Sequence, residues 1–163
     1  MHIKDSLLVE LERETLNTRR ILENLNDESL GWKPHEKSMS LGSLATHIIE
    51  LANMVYDVFT REKYDFMSDY QANEISTVSG LVQLLDEGYK SCRKVLLEAN
   101  EEEFGANFEL KAGDYIIANM SKADIIRYWL YNHLIHHRGQ LTVYMRLLNI
   151  PLPGLYGPSA DER

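Results

Sequence analysis

The segment Tyr131-Asn132-His133-Leu134-Ile135-His136-His137-Arg138-Gly139-Gln140 places three of the chain's six histidines within five positions of a helical pattern. His133 and His137 are four residues apart, so on an α-helix their side chains lie on one face, one turn apart. At that spacing two imidazoles can share one metal ion. The apolar residues of the same helix fall on that face, which predicts that the pair points inward. Buried imidazoles need partners. A third histidine, His47, falls on the apolar face of an earlier helix and offers a further ligand. Three protein ligands with a fourth position left open is the arrangement of catalytic zinc sites, and imidazole suits zinc, nickel and ferrous iron alike. The residues alone leave a second reading open, in which the three are core histidines hydrogen-bonded to neutral groups.

Other chemistries find less support. Leu134 follows His133 where a zinc protease would carry its glutamate, and there is no Gly-rich phosphate loop or serine nucleophile elbow. Glu50, one turn after His47, is the nearest carboxylate that could serve a metal site as a base, although its position also suits a solvated helix residue. Cys92, the only cysteine, lies in a helical pattern without a basic cluster to lower its pKa and reads as an ordinary helix residue. His136 lies about 100° around the helix from His137 and reads as surface-facing or as a residue behind the ligands. His35 and His2 have no spacing argument.

Four amphipathic segments must position these residues. The first spans about Asp5 to Leu25, with Leu7, Leu8, Leu11, Leu16, Ile21, Leu22 and Leu25 as its apolar stripe and Glu10, Glu12 and Glu14 mostly on the wet face. Asp27-Glu28-Ser29-Leu30 suggests a short helical turn, and Trp32-Lys33-Pro34-His35 an extended connection, from which Trp32 plugs the core. The second helix starts at the N-cap Ser40 and runs to about Glu62, with His47 in a core-facing slot. Residues Lys63 to Ser76 have no clean period and read as a long loop or a frayed helix end. A third helix extends from about Thr77 to Asn100. Phe108 to Met120 alternates around an Ala112-Gly113-Asp114 turn and predicts a small hairpin or extended excursion. The fourth helix opens at the N-cap Ser121 and stops near Asn149, before Pro151 and Pro153; its inner face reads Ile126, Trp129, Leu130, His133, His137, Gln140, Leu141, Tyr144 and Leu148. The expected fold is therefore an all-α antiparallel four-helix bundle in a single domain, residues 1–163.

Size and charge agree with this. The chain has 163 residues, 44% hydrophobic and 26% charged, enough for one domain with a full core. A net charge of −8 argues against nucleic acid or an anionic membrane as a general partner. No apolar run reaches the length of a membrane span and the N-terminus has no signal-like apolar region, so a cytoplasmic protein is expected.

The order of motifs resembles the DinB/YfiT-like family of bacterial four-helix proteins. The resemblance lies in Trp32-Lys33-Pro34 leading into Ser38-Met39-Ser40-Leu41-Gly42-Ser43-Leu44-Ala45-Thr46-His47, in Asn132 through Leu141, and in Tyr144-Met145-Arg146-Leu147 with the prolines beyond. It implies an up-down-down-up bundle in which His47, His133 and His137 hold a divalent metal: zinc, nickel, iron or manganese. Arg138 and Gln140 match the family's Arg-Gly-Gln; Gln140 is expected to line the pocket and Arg138 to pair with a carboxylate. The family is similar to a superfamily that includes metal-dependent transferases of low-molecular-weight thiols. The first function implied is a thiol S-transferase acting on electrophilic small molecules, with Gln140 or Tyr144 orienting the substrate. The alternatives are a hydrolase using water activated by the metal, and a non-catalytic metal-binding stress or interaction protein. A homodimer fits a small bundle of this kind, although no seam in the sequence marks it.

Overall fold

In the computed structural model, which describes residues 2–162, the chain forms α1 (Ile3–Leu22), α2 (Leu41–Thr60), β1 (Lys63–Asp65), α3 (Val78–Glu98), the short α4 (Glu101–Gly105), β2 (Asn107–Ala112) and β3 (Tyr115–Ser121). The last long helix follows in three parts: α5 (Lys122–Asp124), a π-helical stretch (Ile125–Tyr131) and α6 (Asn132–Leu147). Helical dihedrals at Asp124 and Tyr131 join the parts into one rod. Within it the Asn132 N–H reaches back five residues to the Arg127 carbonyl, the bond that defines a π turn.

Helix starts follow the capping chemistry. The side chains of Ser40, Thr77 and Ser121 each accept a hydrogen bond from a backbone N–H three residues on, at 3.1 Å in every case. The Asp27–Ser29 turn is capped in the same way by Asn26. Between that turn and α2 the chain lies along the first turn of the helix, where the N–H groups of Leu41 and Gly42 donate to the carbonyls of Trp32 and Leu30. Trp32 itself is half-buried and packs edge-on against Tyr144, with ring centroids 5.6 Å apart.

The expected all-α bundle with a small hairpin or extended excursion is corrected to a helical bundle with a small three-stranded sheet in the order β1-β2-β3. The hairpin β2–β3 forms where alternation predicts it, turning at Gly113, whose φ of 59° favours glycine. The segment read as a loop or frayed helix end instead supplies β1, which pairs parallel with β2 through Lys63↔Glu109, Tyr64↔Leu110 and Asp65↔Lys111. Three residues are too few to show a period. What holds them is side-chain chemistry: Asp65 Oδ1 accepts from the N–H groups of Gly113 (2.9 Å) and Met67 (3.0 Å), and these bonds keep its carboxyl below the usual carboxylate range.

Two apolar cores divide the bundle. One gathers Leu7 and Leu11 of α1, Val55 and Val58 of α2, Cys92 and Leu96 of α3, the sheet's Phe108 and Leu110, and Ile125, Ile126 and Leu130 of the π-helical stretch. The other gathers Ile21 and Leu22, Leu44 to Ile49, Leu81 and Leu85, and Leu134, Leu141 and Met145. Between the apolar residues of α1 the buried positions are Glu14, Thr15, Asn17 and Thr18, whereas Leu16 is exposed. Glu14 therefore leaves the wet face assigned to it and Leu16 leaves the apolar stripe. Where α2 passes α3, the Asn53 side chain lies over Gly88, and a Cβ there would overlap its amide.

Cys92 is fully buried, its thiol facing the carbonyls of Ala52 and Asn53, and burial pushes its pKa up to about 12. Little thiolate exists at neutral pH, and the thiol will be silent to Ellman's reagent at pH 8 in the native protein, releasing one equivalent only in denaturant. Rapid native labelling would show that the helix packing around it opens readily. Among the described residues no helix is long and apolar enough to cross a membrane.

Candidate metal centre

The buried stripe of α6 is Leu134, Arg138, Leu141 and Met145. The stripe beside it carries His133 and His137, half-buried at its edge rather than at its centre. His47 reaches the same point from α2. The three rings converge: centroids are 5.3 Å apart for His47–His133, 4.8 Å for His47–His137 and 4.5 Å for His133–His137. One ring nitrogen from each lies within 4.8 Å of the others, and Nε2 of His133 is 2.8 Å from Nε2 of His137.

This geometry suits a divalent ion. Zn–N bonds of about 2.0–2.1 Å place tetrahedral ligand nitrogens about 3.3 Å apart, inside the range spanned here. In His133 and His137 the second ring nitrogen is engaged as a ligand imidazole requires. Nδ1 of His137 lies 2.7 Å from Oε1 of Gln140, to which it donates in the tautomer that frees Nε2. His133 donates to the backbone carbonyl of Trp129. Burial holds His133 far below the ordinary imidazole value, at about 4, with the rings of His137, His47 and His136 acting in the same direction. Burial, then His137, also lowers His47, against an opposing pull from Glu50. Burial therefore favours His47 and His133 as neutral imidazoles, the state a metal binds.

Beside the triad opens a cavity of about 370 Å³, walled in part by His47 and His133. Gln140 and Tyr144, expected to line it, do not: Gln140 is exposed and bridges His137 to His136, and Tyr144 packs on Trp32. The polar wall comes instead from α2. His47, Glu50, Asn53 and Asp57 all line the cavity, at helical spacing on an otherwise apolar helix. Glu50 is no freely solvated side chain. Its Oε1 accepts from the Asn73 N–H (3.2 Å) and Nδ2 (2.9 Å), and its Oε2 from the Tyr70 hydroxyl (3.1 Å). The period of those four α2 residues was visible in the sequence; the partners from the 63–76 segment were not.

Arg138 pairs with a carboxylate as expected, but deep in the bundle at 1% exposure. Its guanidinium contacts the Glu14 carboxylate and the Tyr156 hydroxyl, and Nη1 donates to the Glu14 carbonyl (3.1 Å) and Thr18 Oγ1 (3.2 Å). It braces the helix that carries the histidines and does not line the cavity.

Both the sequence and the fold are similar to those of known proteins. The chain is 25% identical over 158 residues to the uncharacterized protein YrdA of Bacillus subtilis strain 168, covering 97% of this chain and 90% of YrdA. A DinB-like protein from Bacillus cereus ATCC 10987 superposes with a TM-score of 0.73 at 25% identity, covering 93% of this chain and 97% of that one. YfiT from Bacillus subtilis, described as a probable metal-dependent hydrolase with an unusual four-helix bundle topology, superposes with a TM-score of 0.68 at 17% identity over 91% of this chain and 89% of its own; that likeness bears on the fold. The DinB family model matches residues 1–163, and the chain belongs to the DinB family.

Proposed function

We propose that this protein is a metal-dependent hydrolase of small molecules, with His47, His133 and His137 as metal ligands and Glu50 as the proton acceptor. The observation that carries this reading is Glu50, a carboxylate fixed by three neutral donors in the wall of the cavity that His47 and His133 also line. A divalent ion held by the triad would supply Lewis acidity, acidifying a water and polarising a substrate carbonyl. Glu50 Oε2 retains an acceptor site beyond its bond to Tyr70 and can take the proton of an attacking water. As the water oxygen bonds the carbonyl carbon and the acyl bond breaks, that proton passes to the leaving oxygen or nitrogen. The apolar walls keep bulk water from competing.

The probable hydrolase activity of YfiT points the same way. Thiol transfer, the first expectation from sequence, shares the triad but needs no carboxylate base, and nothing in the cavity favours it over hydrolysis. The helix directions of an up-down-down-up bundle fit the site. The two cores are met in one order along α1 and the last helix and in the opposite order along α2 and α3, which supports that topology.

The test is Glu50→Gln against wild type, both loaded with metal, on chromogenic esters and anilides. Hydrolysis should fall by about a hundredfold or more with metal content unchanged. A protein that conjugates thiols to chlorodinitrobenzene but hydrolyses nothing would overturn the hydrolase in favour of the transferase.

A further inference from the structure

The cavity is asymmetric in charge. The rings of Tyr64, Phe66, Tyr70 and Trp129 form much of its wall, and the charged groups among its lining residues are Glu50 and Asp57, with no lysine or arginine. Asp57 has a cation, Arg61, whose Nε lies 2.8 Å from Oδ1, but that guanidinium is outside the lining. Glu50 has only neutral donors. Asp69, within reach of Arg61 Nη1 at 3.6 Å, adds further negative charge behind the wall. A cation entering this space meets the Glu50 carboxylate and aromatic rings, although Arg61 already pairs with Asp57 and lies over the Tyr64 ring; an anion meets no lysine or arginine among the lining residues. The volume suits a single ring with a short side chain.

We propose that the cavity's own lining, apart from a bound metal, selects a small protonated amine on an apolar or aromatic body over molecules bearing carboxylate or phosphate. Resting on the hydrolase reading, this makes the substrates esters or amides that carry an ammonium group.

Calorimetric titration of three probes of matched size tests the assignment: phenethylamine, phenethyl alcohol and hydrocinnamate, each against metal-free and metal-loaded protein. In the metal-free protein the amine should bind about tenfold more tightly than the alcohol, and hydrocinnamate should show no heat. Added salt should erode the amine's advantage and leave the alcohol unchanged. Glu50→Gln and Asp57→Asn should each cut that advantage about threefold at constant alcohol affinity. Hydrocinnamate binding as tightly as the amine to metal-free protein, or an amine that does not bind, would overturn the assignment. A protein that ranks the probes as stated but takes up no metal would overturn the hydrolase and leave the cavity's selectivity standing.

Discussion

Alanine at His133 or His137 will deprive the protein of stoichiometric divalent metal while leaving its helical content unchanged. Each ring supplies one of three converging nitrogens, and among the described residues no fourth histidine, cysteine or acidic group joins them. With two ligands left, the affinity should fall by more than about a hundredfold. The rings lie at the edge of the buried stripe of α6, so their loss does not open the core. The measurement is metal content after repletion with zinc, nickel, manganese or iron and dialysis. In parallel, a chelator should lower the melting temperature of wild type but not of the variants, because only wild type gains stability from the ion. Gln140→Leu should give a milder loss of about 10–100-fold, since it removes the acceptor that fixes the His137 tautomer and leaves the ligand in place. Wild-type protein that takes up none of these metals would refute the centre, as would alanine variants that retain metal like wild type.

Arg138→Met should destabilise the fold by about 3–5 kcal/mol. The substitution keeps the length and apolar stem of the side chain but leaves the Glu14 carboxylate, itself 9% exposed, without its counter-charge. Tyr156 then supplies its only remaining side-chain partner, through a 2.8 Å hydrogen bond. Urea unfolding would measure the cost. Adding Glu14→Leu should recover most of it, because two apolar side chains no longer carry a buried unpaired charge. A cost below about 1 kcal/mol for the single variant would place the pair among ordinary surface ion pairs.

The parts of this molecule that were legible in the sequence depend on local rules. The caps at Ser40, Thr77 and Ser121, the β2–β3 turn at Gly113 and the four-residue spacing of His133 and His137 each act within a few positions. The illegible parts depend on partners distant in the chain. Arg138 lies on the same stripe as Leu134 and Leu141, and no local rule places a charge there until Glu14, 124 positions away, comes to meet it. Glu14 looked solvated for the same reason. Gln140 and Tyr144 were placed on the inner face because the face was drawn through the histidines, one residue out of phase with the buried stripe. β1 has no periodicity and exists through β2 and Asp65. Glu50 could be named from its place one turn after His47 but read as a solvated residue, because what fixes it comes from Tyr70 and Asn73, which lie in a segment without regular structure.

The π-helical stretch at Ile125–Tyr131 carries a further consequence. A π turn holds one residue more than an α-helix needs, so it is an insertion that the rod has absorbed without breaking. Trp129 and Leu130, which wall the cavity, lie within it, while His133 and His137 lie beyond it. Deleting one residue from the stretch would restore regular winding and keep the helix before it in register with the histidine pair, while the residues inside the stretch would change the direction in which they point. The spacing of His133 and His137 would survive while the indole swung away from the cavity. Inherited variation can therefore rewrite what the pocket accepts by single-residue gains and losses in this one stretch, without disturbing the ligands that lie downstream.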